Sequence, residues 1–270
     1  MSALRDHLSA AGAVCRRDLA LFASYRMRFV TTFFTAAVTL TLFYYISRLV
    51  HSGRVGSPNR YYAFVVVGVI ILEVVTSTLA TPIATLRQEL LAGTFERMVL
   101  SPFGAVRCVL SLMIFPLLLS LVLAVASLAY AGLLFGLPLR WPTLPGGAAV
   151  ALLAAIAFAP FGVLMASAVM LFKQTNAGAT FVVTGLTLLA GVYFPVALLP
   201  GWIRWASDVQ PFTPAVDLLR NLLVGTPLSE PVLVSVGKLL GFAAVMFPIS
   251  LVVLGAAVRR SRRMGTVIEY

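Results

Sequence analysis

No charged residue interrupts the 32 residues from Cys108 to Leu139, and between Arg60 and Arg87 the only charge is Glu73. A hydrocarbon core of roughly 30 Å is crossed by about 20 apolar residues at 1.5 Å each, so each run is long enough to span it. The whole chain is written this way: 60% of its 270 residues are hydrophobic and 11% charged, with a mean hydropathy of +1.00. Soluble domains carry about a quarter charged residues, so lipid is the solvent this chain is built for. In lipid every backbone N–H and C=O must be satisfied within its own segment, which makes the spans helices.

These runs predict an all-α membrane protein with six transmembrane helices, in a single transmembrane domain over residues 1–270. The spans fall at 29–47, 61–86, 108–139, 148–172, 177–199 and 234–258. The 108–139 run is longer than a perpendicular helix needs, which predicts tilt or a kink near Pro116. Trp141-Pro-Thr-Leu-Pro-Gly-Gly147 reads as a turn, because two prolines and two glycines do not continue a helix. Residues 1–28 place Leu4, Leu8, Ala11, Cys15, Leu19 and Phe22 at steps of three and four, with Arg5, Arg16 and Arg17 between. That is the period of an amphipathic helix lying in the membrane interface. No compact basic-then-apolar leader precedes it, so the first span is expected to be retained as a signal anchor.

The net charge of +11 would point to nucleic acid in a soluble protein. Here the basic residues flank apolar runs and read as anchors at anionic headgroups. With six spans, 13 of the 20 Lys and Arg fall on the side of the two termini and 7 on the other, including Arg48, Arg140 and Lys238. The positive-inside rule then puts both termini in the cytoplasm of a multi-pass protein of the cell's inner (plasma) membrane. Cys15 and Cys108 fall on that reducing side, where no disulfide is expected.

Two connecting segments stand apart from the spans. Arg87 to Gly104, "RQELLAGTFERMVLSPFG", mixes charges at Arg87, Glu89, Glu96 and Arg97 with apolar Leu90, Leu91, Phe95 and Met98. A helix over 87–102 would lie along the membrane and show charge to a cytosolic subunit, with Gly93 and Ser101-Pro102 as breakers. A plain amphipathic connector has the same composition. The second segment, Gly191 to Gly225, reads "GVYFPVALLPGWIRWASDVQPFTPAVDLLRNLLVG". Its Pro195, Pro200, Pro211 and Pro214 forbid one continuous helix, yet it is too apolar for a free loop, so 195–225 should dip back into the outer leaflet as a re-entrant helical segment. Trp202 and Trp205 suit the aromatic belt at that depth.

"GTFERMVLSP" at Gly93–Pro102 and "GVYFPVALLPGWIRW...QPFTPAVDLLR" resemble matching stretches in the permease subunits of ABC exporters of the second type, the ABC-2 family. The resemblance covers essentially the whole chain. It implies a permease that acts as a dimer with itself or a similar permease, above two copies of an ABC ATPase subunit. It also implies a cytosolic coupling helix docked in a groove of the ATPase, with Gly93, Thr94, Glu96, Arg97, Ser101 and Pro102 at or beside the contact. The outer segment then becomes a gate, with Gly191, Phe194, Pro195, Pro200, Trp202, Pro211, Pro214 and Arg220 as its candidate residues. The cargo it suggests is a hydrophobic small molecule, drug or lipid leaving the cytoplasm, with lipid-linked polysaccharide as the alternative.

Glu73 is the one carboxylate inside a span. An ion at the bilayer centre costs about 2.5–3.5 kcal/mol on insertion scales, so it should face protein or water. It reads as a pathway contact, a proton site, or a hydrogen bond to Thr76 or a neighbouring helix. The aromatics Phe33, Phe34, Phe43, Tyr44, Tyr45, Tyr61 and Tyr62 could stack on sugars, and read better as lipid or core contacts.

No catalytic residues and no metal site are expected. The chain has no Gly-x-x-x-x-Gly-Lys-Ser/Thr loop, since Gly237-Lys238 runs into Leu239, so ATP and Mg belong to the partner subunit. His7 and His51 sit on opposite sides of the predicted topology and form no metal pair. A membrane-embedded hydrolase needs paired carboxylates, a nucleophile with a base, or metal ligands, and Glu73 alone supplies none of these. A proton-coupled secondary transporter working through Glu73 is the more distant alternative, and no internal repeat supports it.

Overall fold

The structure is a computed structural model that describes residues 2–24, 26–49, 58–94, 104–172 and 199–263, with short pieces at 184–185, 188–189, 191–193 and 196. Among the described residues all regular structure is helical. In chain order the helices are α1 (Ser2–Ser24), α2 (Arg26–Leu49), α3 (Pro58–Leu91), α4 (Ala105–Phe135), α5 (Leu144–Phe172), α6 (Gly201–Val209), α7 (Phe212–Val224) and α8 (Val232–Arg263). Within them, Val30–Leu49, Pro58–Leu91, Ala105–Phe135, Trp141–Leu171 and Val232–Ser261 are five stretches long and apolar enough to cross a bilayer. Most of the expected fifth span, 177–199, lies outside the described residues.

α3 forms the centre of the bundle. Its Val65, Val66, Ile71 and Val74 are fully buried against α2, α4, α5 and α7. Lipid tails are as apolar as leucine, so helices in a membrane associate by close packing, and small residues permit it. Ala154, Ala155 and Ala157 of α5 are buried in this way. α2 and α8 are peripheral and turn Phe34, Leu42, Val245 and Val252 outward.

Four of the hydroxyls inside the spans are satisfied within their own helices. Thr35 donates to the Thr31 carbonyl, Thr78 to Val74, Ser111 to Arg107 and Ser167 to Val163, each at 2.7–2.9 Å. Back-bonding of this kind removes donors that lipid cannot accept.

The bundle has two distinct ends. At one, Leu86 and Leu90 of α3 pack with Ala105 and Val109 of α4, Val169 and Met170 of α5, and Leu254 and Val258 of α8. α1 joins this end, with Phe22 against Phe115 at 5.7 Å between ring centroids. The other end holds the start of α3, the end of α4, the start of α5 and α7: Tyr62 packs on Phe135, and Leu219 and Leu223 join the same cluster.

Several expected boundaries are corrected. Residues 87–91, expected in a separate cytosolic helix, are the last turn of α3. The third span ends at Phe135 rather than 139, because Gly136 takes the left-handed conformation (φ 64°) and returns its N–H to the Ala131 carbonyl. Pro116 lies inside α4, which continues past it. Trp141–Thr143 is a single 3-10 turn and α5 already starts at Leu144, because Pro145 in a first turn has no hydrogen bond to lose. α8 runs on through Arg259, Arg260 and Arg262 to Arg263. Arginine is a good helix former whose stem can lie on apolar surface while its head reaches water, so the charges mark the membrane boundary without ending the helix.

Candidate functional site

Glu89 organises the first end. Its carboxylate accepts a hydrogen bond from Arg17 Nη2 of α1 at 2.9 Å and lies against the Thr94 hydroxyl. The same hydroxyl is 3.2 Å from the Glu89 carbonyl oxygen. Arg17 also grips Asp18 through Nε and Nη2 at 3.0 and 2.9 Å. Gly93, exposed and at φ +67°, ends α3 with its N–H on the Leu90 carbonyl, a conformation that side chains disfavour. α1 and the end of α3 are thus tied at the point where the chain leaves α3. Of the residues expected at that contact, Gly93 and Thr94 are placed here, while Glu96, Arg97, Ser101 and Pro102 lie outside the described residues. Glu89 and Arg17 were legible only as charges on two separate amphipathic stretches, and nothing in their spacing announced the pair.

The other end is built round Arg220. This side chain, 4% exposed, reaches from α7 to α3 and to the broken segment before α6. Its Nε and Nη2 donate to the Phe64 carbonyl at 3.2 and 3.0 Å, and Nη2 also reaches the Gly191 and Val192 carbonyls at 3.1 Å. The guanidinium carbon sits 3.3 Å from the centroid of the Phe64 ring. Gly191 and Val192 are non-helical yet buried, so their carbonyls need a donor, and Arg220 is that donor. Burial pulls its pKa down to about 9, with Asp217 opposing, so it stays charged at neutral pH. The approach depends on Gly68: a Cβ there would stand 2.6 Å from the Val192 carbonyl oxygen and 3.0 Å from Arg220 Nη2. Sequence reasoning missed both Gly68 and Phe64.

Around this clamp the expected gate residues separate. Gly191 is joined to Arg220. Pro200 and Pro211 cap α6 and α7, and Pro214 is buried in the first turn of α7. Ser207 donates to the Leu189 carbonyl at 2.6 Å, and Thr213 to the Ser207 carbonyl at 2.9 Å, which closes the corner between the two short helices. Trp202 and Trp205, three residues apart on α6, are 75% and 65% exposed and take no part in the hydrogen bonds of the clamp. Phe194 and Pro195 lie outside the described residues. The α4–α5 turn zips onto the end of α7 through the Arg140 N–H on the Leu223 carbonyl and the Thr143 hydroxyl on the Leu222 carbonyl, at 2.9 and 2.7 Å.

Glu73 belongs to neither end. It is half-buried in α3 and makes no hydrogen bond or ion pair among the described residues, so the bond to Thr76 that the sequence allows is not formed.

Comparison with known proteins bears on what two such ends are for. Residues 13–224 match the ABC-2 type transporter family. The chain belongs to that family. This ABC-2 chain is also similar to Nodulation protein J of Rhizobium meliloti (strain 1021), at 28% identity over 115 residues. The shared stretch is 43% of this chain and 44% of the relative, so the chain spans less than half the length of the curated protein it matches. The family is one of transporter membrane domains, in keeping with a multi-pass helical chain.

Proposed function

We propose that this chain is the membrane subunit of an ATP-driven exporter, working with two copies of a separate ABC ATPase subunit that supplies ATP and Mg, and paired with a second copy of itself or a similar permease. The family match over residues 13–224 carries the reading. The directions of the helices support six crossings: α5 and α8 both run toward the Glu89 end, so an odd number of crossings must lie between them, and 177–199 is the apolar stretch available. α1 and the end of α8 then share the cytoplasmic side, where the arginines cluster.

In this mechanism ATP binding closes the ATPase pair, and segment 87–102 passes the movement to the spans. The segment must contact the open and closed ATPase states differently, since only a differential contact shifts a conformational equilibrium. α3 is suited to carry it: 34 residues make a rod of about 50 Å, held to α1 at Glu89 and to the Arg220 clamp at Phe64. The Arg220 end, with segment 195–225, serves as the outer gate. Hydroxyls such as those of Thr35, Thr78 and Ser167, turned back on their own helices, are in keeping with a hydrophobic small molecule, drug or lipid as cargo.

The test is a mild-detergent pull-down for the co-purifying ATPase, then transport by the reconstituted complex. Joint exchange by Glu96→Arg and Arg97→Glu should uncouple hydrolysis from transport or weaken ATPase binding. Unchanged transport by that variant would remove 87–102 as the coupling element. Uphill transport by the chain alone on a proton gradient would favour a secondary transporter instead.

A further inference from the structure

Beside the Arg220 clamp lies a cavity of about 400 Å³ between α3, α6, α7 and the start of α8, within the roughly 300–1,000 Å³ of small-molecule sites. Its charged lining is balanced: Arg220 and Lys238 against Asp217 and Glu230. Lys238 Nζ holds Glu230 at 2.7 Å, and the Ser229 hydroxyl donates to Asp217 Oδ2 at 2.9 Å. The hydrogen bonds of Arg220 to described residues leave through Nε and Nη2, so Nη1 is the guanidinium nitrogen they do not use. The export reading uses none of these groups except Arg220, and it uses Arg220 for the bonds to Gly191 and Val192.

Two observations together select a ligand. The cavity offers a buried cation with spare donor capacity three residues from a carboxylate on the same helix, with a second pair of opposite charges across from them. A simple anion would meet Asp217 and Glu230, and a simple cation would meet Arg220 and Lys238. A zwitterion satisfies both. The depth of the site is read from α6, whose Ser207 lines the cavity while Trp202 and Trp205 are exposed outside its lining. Exposed tryptophans three residues apart on a short helix belong at the headgroup level, where one side of the ring is apolar and the other wet.

We propose that this cavity binds the aminoethyl phosphate headgroup of a membrane phospholipid. The phosphate would take the free guanidinium edge of Arg220 and the ammonium of Lys238. The lipid's primary ammonium would donate to Asp217 and Glu230, and its chains would leave past α6. Three N–H donors on a primary ammonium can serve two carboxylates, whereas a trimethylammonium has none to give. The site is therefore selective for phosphatidylethanolamine over phosphatidylcholine, and over phosphatidylglycerol, which lacks the cation.

Native mass spectrometry of the full chain, released from nanodiscs holding the three phospholipids in equal amounts, reads the selectivity directly. One phosphatidylethanolamine should be retained per chain, and soluble O-phosphoethanolamine in excess should displace it. Asp217→Asn preserves shape and an acceptor for Ser229 but removes the charge. It should lower phosphatidylethanolamine retention about tenfold, the equivalent of one charge-assisted hydrogen bond. Glu230→Gln, on an exposed pair that the fold does not need, should act in the same direction if Asp217→Asn proves unstable. Preferential retention of phosphatidylglycerol, equal retention of all three, or failure of excess O-phosphoethanolamine to displace the retained lipid would each overturn the proposal.

Discussion

Replacing Gly68 by alanine adds a single methyl group at the tightest backbone contact of the Arg220 clamp. The new Cβ would stand 2.6 Å from the Val192 carbonyl oxygen and 3.2 Å from its carbon, where ordinary contact begins near 3.4 Å. Val192 must therefore retreat by about 0.8 Å, and because the obstacle is backbone, no side-chain rotation relieves it. Retreat draws the Gly191 and Val192 carbonyls off Arg220 Nη2, at hydrogen bonds to a charge worth roughly 1.5–3 kcal/mol each. Overpacking adds about 1–3 kcal/mol, while alanine in a helix returns about 1 kcal/mol. With partial relaxation the net loss is on the order of 3 kcal/mol, or roughly 6–12 °C in unfolding midpoint for a chain of this size. Thermal unfolding in lipid nanodiscs measures it, with Gly237→Ala as the comparison. Gly237 in α8 is exposed with nothing within 4 Å of its added methyl, so that variant should hold or gain up to about 1 kcal/mol. A Gly68→Ala protein as stable as wild type, or an equal fall in Gly237→Ala, would refute the close-contact argument.

Arg220→Met keeps the length of the side chain but strands the Gly191 and Val192 carbonyls. It should cost about 2–5 kcal/mol in unfolding and admit small ions through proteoliposomes, read as dye or ion leak. At the other end, Arg17→Met should lower coupling of ATP hydrolysis to transport while stability falls by no more than about 1 kcal/mol, because the pair is partly exposed. The charge exchange Arg17→Glu with Glu89→Arg should recover part of that coupling, and no recovery would mean the pair does not transmit movement. Glu73→Leu removes from a span a carboxylate that has no hydrogen bond or ion pair among the described residues, so its unfolding midpoint should hold or rise while transport falls. Unaltered transport would remove Glu73 from the pathway.

The sequence determined the class of the protein through elementary energetics. Long runs without charge can only be solvated by lipid, lipid forces the backbone into helices, and helices of known rise make such runs long enough to cross it, as five described stretches are. The prolines from Pro195 to Pro214 likewise marked a segment that could be neither a span nor a loop, and α6 and α7 are the two short helices they permit. The flanking arginines marked where spans should end in water, although α8 continues through them because a charge sets depth rather than helical limits.

Only the tertiary structure decided which charges meet. Arg17 and Glu89 are 72 positions apart, and Arg220 is 156 from Phe64; no periodicity carries information over such distances. Arg220 stood in the sequence as a candidate gate residue with no partner assigned to it, and Gly68 as one more small residue in an apolar run. Their importance comes from a buried stretch of broken backbone whose carbonyls must find a donor, and from the close approach that only a residue without a Cβ allows. Local chemistry writes the helices, while the partners of buried polar groups exist only once the helices have packed.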